Sequence, residues 1–534
     1  MRAWLDDQGD QPDRTAPRVR RGRGTWLEDE PDGPTLGEVT DGPSSDPLAL
    51  GPRDDEVLAR FTRDPRDVLH APQLDETPSN DAATTSAPDV ETESADRGWA
   101  TGLCVAGGFA IAAMFASGIA TGDNELVAAA AIAIALATLT ALGLKFLTRR
   151  SPLDSQSIGI ILGASMSLKL LGTLARFYVG TSVYDRSDAS EYDIYGRNWA
   201  NDYLANGSLP NVNQWTSTNF VRLVIAEFYH YTTPTKIGGF VFFSWLGWLG
   251  LVAFWRAFRR VMPTRERRYM LLVLFAPSLM YWPSSIGKEA LIILGLGLAT
   301  YGLSLLLTDA LVIGLPITAA GLMLTTYVRS HVAIVLTLAL GAAMVFRKRA
   351  GPKVSGTVLT LVMFAAVGSF VLSTANSYFK SNLFDGTGAV QAELDSAEDR
   401  TAQGGSQFTP APAWNFPLRA ITVLFRPLPP EATSPQELMT SIESFGYAIA
   451  LGMSLKKIFK STRRDYPYGV YAFVAVVLFV IVFGSFANFG ILARQRTQIL
   501  PFLFILLCMP GRPKPVVYKS LMQRKFELEP TPER

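Results

Sequence analysis

The chain has 534 residues, 48% of them hydrophobic, and a formal net charge of +2. That near-neutral total hides two opposed regions: residues 1–98 hold 23 acidic side chains against 11 arginines and no lysine, leaving 24 acidic and 38 basic for the remainder. The basic excess sits in short loops between apolar runs, which excludes a nucleic-acid-binding stripe on a soluble surface. The only two cysteines, Cys104 and Cys508, lie in apolar segments, which excludes a disulfide framework and a thiolate metal site.

Residues 1–98 are rich in Asp, Pro, Gly, Ser and Thr and poor in aromatics, a composition that cannot bury enough apolar area to fold. They read as a disordered acidic tail with no cleavable signal peptide, since no basic stretch leads into an apolar run. Trp4-Leu5 and Trp26-Leu27 are isolated apolar islands within it that could serve a cytoplasmic partner, a passive linker being the plainer alternative. The tail's Arg, Asp, Pro and Ala usage suits a bacterial source.

From 99 to 510 the chain reads as an all-α, polytopic membrane bundle. About 20 apolar residues match the hydrocarbon thickness of a bilayer. Twelve spans are expected, near 99–120, 125–147, 157–178, 237–257, 269–283, 287–307, 309–327, 331–347, 355–376, 437–456, 466–486 and 497–510. With twelve, the basic loops at 145–150, 256–268, 347–353 and 456–464 and the basic tail 511–534 all fall on one side. The positive-inside rule makes that side cytoplasmic, with both termini there, in a bacterial plasma membrane. The large loops 178–236 and 377–436 are then outside.

Five constellations fall on that outer face. The first loop carries Asp185, Asp188, Glu191 and Asp193 within nine residues. Carboxylates at a membrane surface can act as general bases toward a sugar hydroxyl, or hold a divalent metal; a solvated, charged loop start is the plainer alternative. Asn219 to Tyr231 suits a helix lying in the interface beneath this loop. In Pro277-Ser278-Leu279-Met280-Tyr281-Trp282-Pro283-Ser284-Ser285-Ile286-Gly287-Lys288-Glu289, Ser284 or Ser285 is expected to cap the following helix, making its start, with Lys288, an anion site. Arg329 and His331 lie between two spans with almost no loop. Arg426 stands in Phe425-Arg426-Pro427-Leu428-Pro429, and Arg494 and Arg496 precede the last span. Guanidinium groups grip phosphate through paired hydrogen bonds, and Lys supplies a point charge. The pattern predicts Lys288, Arg329, Arg426, Arg494 and Arg496 as binding groups for a lipid-linked diphosphate, with Asp185, Asp188, Glu191 or His331 acting on the acceptor hydroxyl. No cofactor is expected. Lys169 and Glu443, which fall inside spans, fit a transporter or flippase for an anionic or lipid-linked solute better than an enzyme.

At these residues the chain resembles bacterial polysaccharide polymerases and O-antigen-ligase-like polytopic glycosyltransferases. The resemblance rests on Asp188, Tyr192 and Gly196, on the Pro277 to Glu289 stretch, on Arg329-Ser330-His331, on Arg426-Pro427 and on Arg494-Gln495-Arg496, and covers about 99–510. It implies inverting transfer from an undecaprenyl-diphosphate-linked oligosaccharide in cell-surface polysaccharide assembly, without a bound metal. The loop 377–436 holds no histidine, which departs from the ligase pattern and leaves polymerase-like or other glycosyl transfer ahead.

Overall fold

A computed structural model describes residues 89–148, 155–182, 187–212, 214–308, 310–347, 406–412, 414–461 and 466–509, with positions 365, 368, 369, 371, 373 and 401. The expectations for the acidic tail up to residue 88, for most of the ninth span at 355–376, for the loop around 377–400 and for the basic C-terminal tail lie outside the described residues.

Among the described residues the chain is helical, with a single β-bridge between Gln407 and Asn488. The helices are α1 (Asp89–Thr121), α2 (Asn124–Thr148), α3 (Ser155–Ser182), α4 (Asp188–Asn206), α5 (Thr218–Tyr231), α6 (Lys236–Val261), α7 (Glu266–Phe275), α8 (Pro277–Tyr281) and α9 (Lys288–Leu307). They continue with α10 (Leu311–Val328), α11 (Ser330–Val345), α12 (Phe416–Phe425), α13 (Pro435–Ser461), α14 (Pro467–Phe483), α15 (Phe489–Arg496) and α16 (Leu500–Cys508). α1 begins at Asp89, ten residues before the expected span, so the end of the acidic stretch is helical.

Among the described residues, seven helices are long and apolar enough to cross a bilayer: α1, α2, α3, α6, α9, α10 and α13. The pair α15 and α16, bent by 54°, is together long and apolar enough for a broken span or a re-entrant loop. The fold is that of a multi-pass membrane protein. Of the other expected spans, α11 has 16 residues and α14 has 17. At 1.5 Å per residue, 16 residues reach about 24 Å, short of a bilayer core of about 30 Å. The expected fifth span is α7 followed by the five-residue α8, broken at Ala276 and Pro277. On α1 and α2, Val105, Phe109 and Leu142 stand 66 to 76% exposed. That apolar surface is at home in lipid and costly in water.

The centre of the bundle is α6, α9 and α10, and it is built on backbone contact. A Cβ on Gly297 of α9 would overlap the Gly250 carbonyl of α6, and one on Gly321 of α10 would overlap the backbone of Ala299. Small residues let helices approach this closely where no hydrophobic drive between them exists. The antiparallel neighbours α9 and α10 therefore hold Lys288, at the start of one, level with Arg329, at the end of the other. Gly297→Leu is expected to lower the melting temperature of the detergent-purified protein sharply, because its overpacking penalty of about 1–3 kcal/mol or more falls on backbone that cannot yield.

Candidate functional site

One end of the bundle gathers groups from six helices or their ends. Glu289, in the first turn of α9, is 3% exposed. Its carboxylate accepts from Arg329 Nη2 at 3.2 Å and from Arg494 Nη2 at 3.2 Å. Arg494 reaches on to Asp188 at the start of α4, 3.3 Å away. Arg329 also donates through Nη1 to Gln495 Oε1, and Gln498 Nε2 reaches the same oxygen at 2.5 Å. Lys288 Nζ donates to Ser217 Oγ at 2.9 Å. Arg176 of α3 stands within electrostatic reach of Glu289, its guanidinium over the rings of Tyr281 and Trp282 at 5.2 and 5.0 Å. Among the described residues, four cations thus face two carboxylates, Glu289 and Asp188, an excess of +2.

Local structure explains how each group arrives. Gly287 precedes α9 in an extended conformation and is its N-cap, with no side-chain cap. This corrects the expectation that Ser284 or Ser285 caps the helix: Ser284 is buried and donates to the Met280 carbonyl at 2.5 Å instead. The first amides of α9 stay uncapped by a hydroxyl, so the positive end of the helix adds to the field at Glu289. Ser217 sits at φ 56° and ψ −116°, a conformation costing an L-residue about 1–3 kcal/mol. It is held there by its N–H to the Tyr327 carbonyl, 2.6 Å, and by Lys288, while Phe220 stacks on Tyr327 at 5.3 Å. The start of α5 is thereby docked on the end of α10, beside Arg329. The helix expected from Asn219 to Tyr231 is found as α5, beginning at Thr218.

The acidic stretch of the loop 178–236 folds, from Asp188, as α4. Its Asp193 is 6% exposed and accepts from Tyr229 Oη at 2.5 Å and from Arg197, which bridges to Glu125 of α2 at 3.2 Å. This network fastens α4 to α2 and α5 and fixes where Asp188 stands. Tyr229→Phe removes the phenol donor and is expected to cost about 1–3 kcal/mol of stability, read by denaturant unfolding of the purified protein. One turn on from Asp188, Tyr192 is buried. Burial, with the Asp188 and Glu289 carboxylates beside it, pushes its phenol well above the ordinary value, so it is a hydrogen-bond donor and never a base near neutral pH.

Of the nine residues singled out in the sequence, Asp188, Lys288, Arg329 and Arg494 come together here. Glu191 is exposed on α4, one turn from Asp188, with no side-chain partner among the described residues. Asp185 lies outside the described residues. His331 packs edge-on against Phe483, ring centres 5.6 Å apart. Arg426 is paired with Glu431 at 2.6 Å in its own loop and lies over Phe489 at 4.9 Å; that bond holds the Glu431 carboxyl below its usual range. Arg496 is 2% exposed and donates to the carbonyls of Val423 and Arg426 and, at 2.5 Å, to Ser444 Oγ. It therefore ties α12 to α13. Among the described residues no three His, Cys, Asp or Glu side chains gather as a metal site would need. The first-loop carboxylate Asp188 instead faces a guanidinium.

Sequence reasoning passed over Glu289, Gln495, Ser217 and Arg176 as site groups. Glu289 had a readable signal, because an acid opening a wholly apolar helix must be paired if it is buried.

Comparison with family models, with curated proteins and with solved structures finds no match.

Proposed function

We propose that the chain is a glycosyltransferase of the polysaccharide-polymerase kind, taking sugars from a lipid diphosphate at the outer face of a bacterial plasma membrane. The observation that carries this reading is the excess of +2 among convergent Lys288, Arg329, Arg494 and Arg176 around a buried carboxylate. A cluster with unbalanced cations at the end of apolar helices suits an anionic headgroup whose tail stays in lipid. The twelve-span topology, with both termini cytoplasmic, belongs to the same proposal. It is supported by the basic stretch 256–268 and by Lys456, near the end of α13, lying at the helix ends opposite the cluster.

In the proposed reaction an acceptor-sugar hydroxyl attacks the anomeric carbon, the bond from that carbon to the phosphate oxygen breaks, and the lipid diphosphate leaves. The acceptor proton passes to a carboxylate. Glu191 is better suited to this than Asp188, since its carboxylate is unpaired among the described residues whereas Asp188 faces Arg494. Lys288, Arg329 and Arg494 stabilise the charge growing on the departing diphosphate. The test is reconstitution in vesicles with an undecaprenyl-diphosphate-linked oligosaccharide. Lengthened lipid-linked glycan is the expected product, lost in Glu191→Gln. An unchanged substrate pool with the wild-type protein would defeat the reading.

The competing reading, a carrier for an anionic or lipid-linked solute, draws on Lys169 and Glu443, charged groups within spans beside the break between α7 and α8. Movement of fluorescent lipid diphosphate across the vesicle membrane without glycan growth would favour it.

A further inference from the structure

We propose that Lys169 and Glu443 are positioning residues, clasping α8 from two different helices and thereby setting the segment 282–289 that presents Lys288 and Glu289. Pro277 has no N–H, and α7 cannot run through it into α8. A five-residue helix leaves most of its backbone groups without a partner inside the helix, and within a bilayer each such group costs several kcal/mol unless satisfied. The two charged side chains satisfy adjacent residues. Glu443 of α13 accepts from the Ser278 N–H at 2.8 Å and from the Ser278 hydroxyl, and Tyr447 Oη supports it at 2.7 Å. Lys169 of α3, 2% exposed, donates to the Leu279 carbonyl at 2.7 Å.

Each side chain meets the backbone group it complements: the carboxyl oxygen accepts from an N–H, and the amine donates to a carbonyl. The contact with α3 is close, because a Cβ on Gly172 would overlap the Met280 carbonyl. From there a chain of hydroxyls continues toward the site. Thr173 Oγ1 contacts the Lys169 carbonyl at 2.8 Å and Ser244 Oγ at 2.7 Å, and Ser244 Oγ reaches Ser284 Oγ at 3.4 Å. Ser284 in turn holds Met280. Any shift of α8 is therefore passed to the turn that ends at Lys288. On this account the in-span charges, which favour a carrier when read alone, serve the anion site.

The test uses full-length protein in detergent with Cys104 and Cys508 replaced by Ala, carrying Ser285→Cys or, as control, Ser208→Cys. Ser285 is 9% exposed and Ser208 lies in an exposed loop. The readout is the maleimide reaction rate at 285 relative to 208. Glu443→Ala and Lys169→Met are each expected to raise this ratio about tenfold, the change in local opening that follows loss of a hydrogen bond to a charged group. Glu443→Gln, whose amide oxygen still accepts from Ser278, is expected to stay near the wild-type ratio. Should the stronger variants not fold, Ser278→Ala is expected to raise the ratio about threefold through loss of one donor. An unchanged ratio, or rates rising equally at both positions, would overturn the clasp. A second readout rests on the diphosphate reading: inorganic pyrophosphate affinity is expected to fall with the rising ratio. Wild-type protein that fails to bind pyrophosphate would count against that reading alone, since the maleimide ratio tests the clasp without it.

Discussion

Glu289→Ala is expected to be the most damaging single substitution in the chain, lowering stability by about 3–5 kcal/mol. The carboxylate is 3% exposed and is the common partner of Arg329 and Arg494. Removing it leaves two guanidinium groups facing each other and Lys288 at the end of three helices, with Asp188 alone opposing them. The cost is the uncompensated buried charge, far more than the net worth of one ion pair. Thermal or denaturant unfolding in detergent measures it. Glu289→Gln keeps the volume and one acceptor, and is expected to lose about half as much stability. A loss below about 1 kcal/mol for the Ala variant would mean that the guanidinium groups are held by other contacts.

The second large effect is functional. Arg329→Lys and Arg494→Lys keep the charge but lose the planar fork, so each is expected to fold and yet to reduce surface polysaccharide in the native host about ten- to a hundredfold. Arg494 is the more sensitive of the two, because its one guanidinium spans Asp188 and Glu289 and a lysine cannot reach both. Arg426→Lys is expected to be mild by comparison, since Arg426 answers Glu431 within its own loop. Polysaccharide amount and chain length, measured for the three variants at matched protein level, separate the groups.

Much of this was legible in the sequence, for identifiable reasons. Apolar runs flanked by basic loops locate α1, α2, α3, α6, α9, α10 and α13 because the bilayer imposes length and composition together. Helix-end position alone brought Asp188, Lys288, Arg329 and Arg494 to one end. What it could not do was choose among charges at that end. Arg494 and Arg496 are two residues apart on α15, so they point to nearly opposite sides of the helix. One enters the cluster and the other is sealed against Val423 and Arg426. Spacing says that both cannot serve one site; only packing says which does. The Ser284 and Ser285 cap failed because extended Gly287 stands between those hydroxyls and the first turn of α9. Apolar composition marks α11 and α14 as well, but their 16 and 17 residues leave them shorter than any of those seven helices, so composition alone does not give their length.

The central claim is that the Glu289 cluster takes a diphosphate, and its most direct measurement is a calorimetric titration of the purified protein with inorganic pyrophosphate. Saturable binding by the wild type is expected, weakened at least about tenfold in both Arg329→Lys and Arg494→Lys and unaffected in Arg426→Lys. Absence of saturable binding by the wild type, or binding that all three variants retain equally, would contradict it.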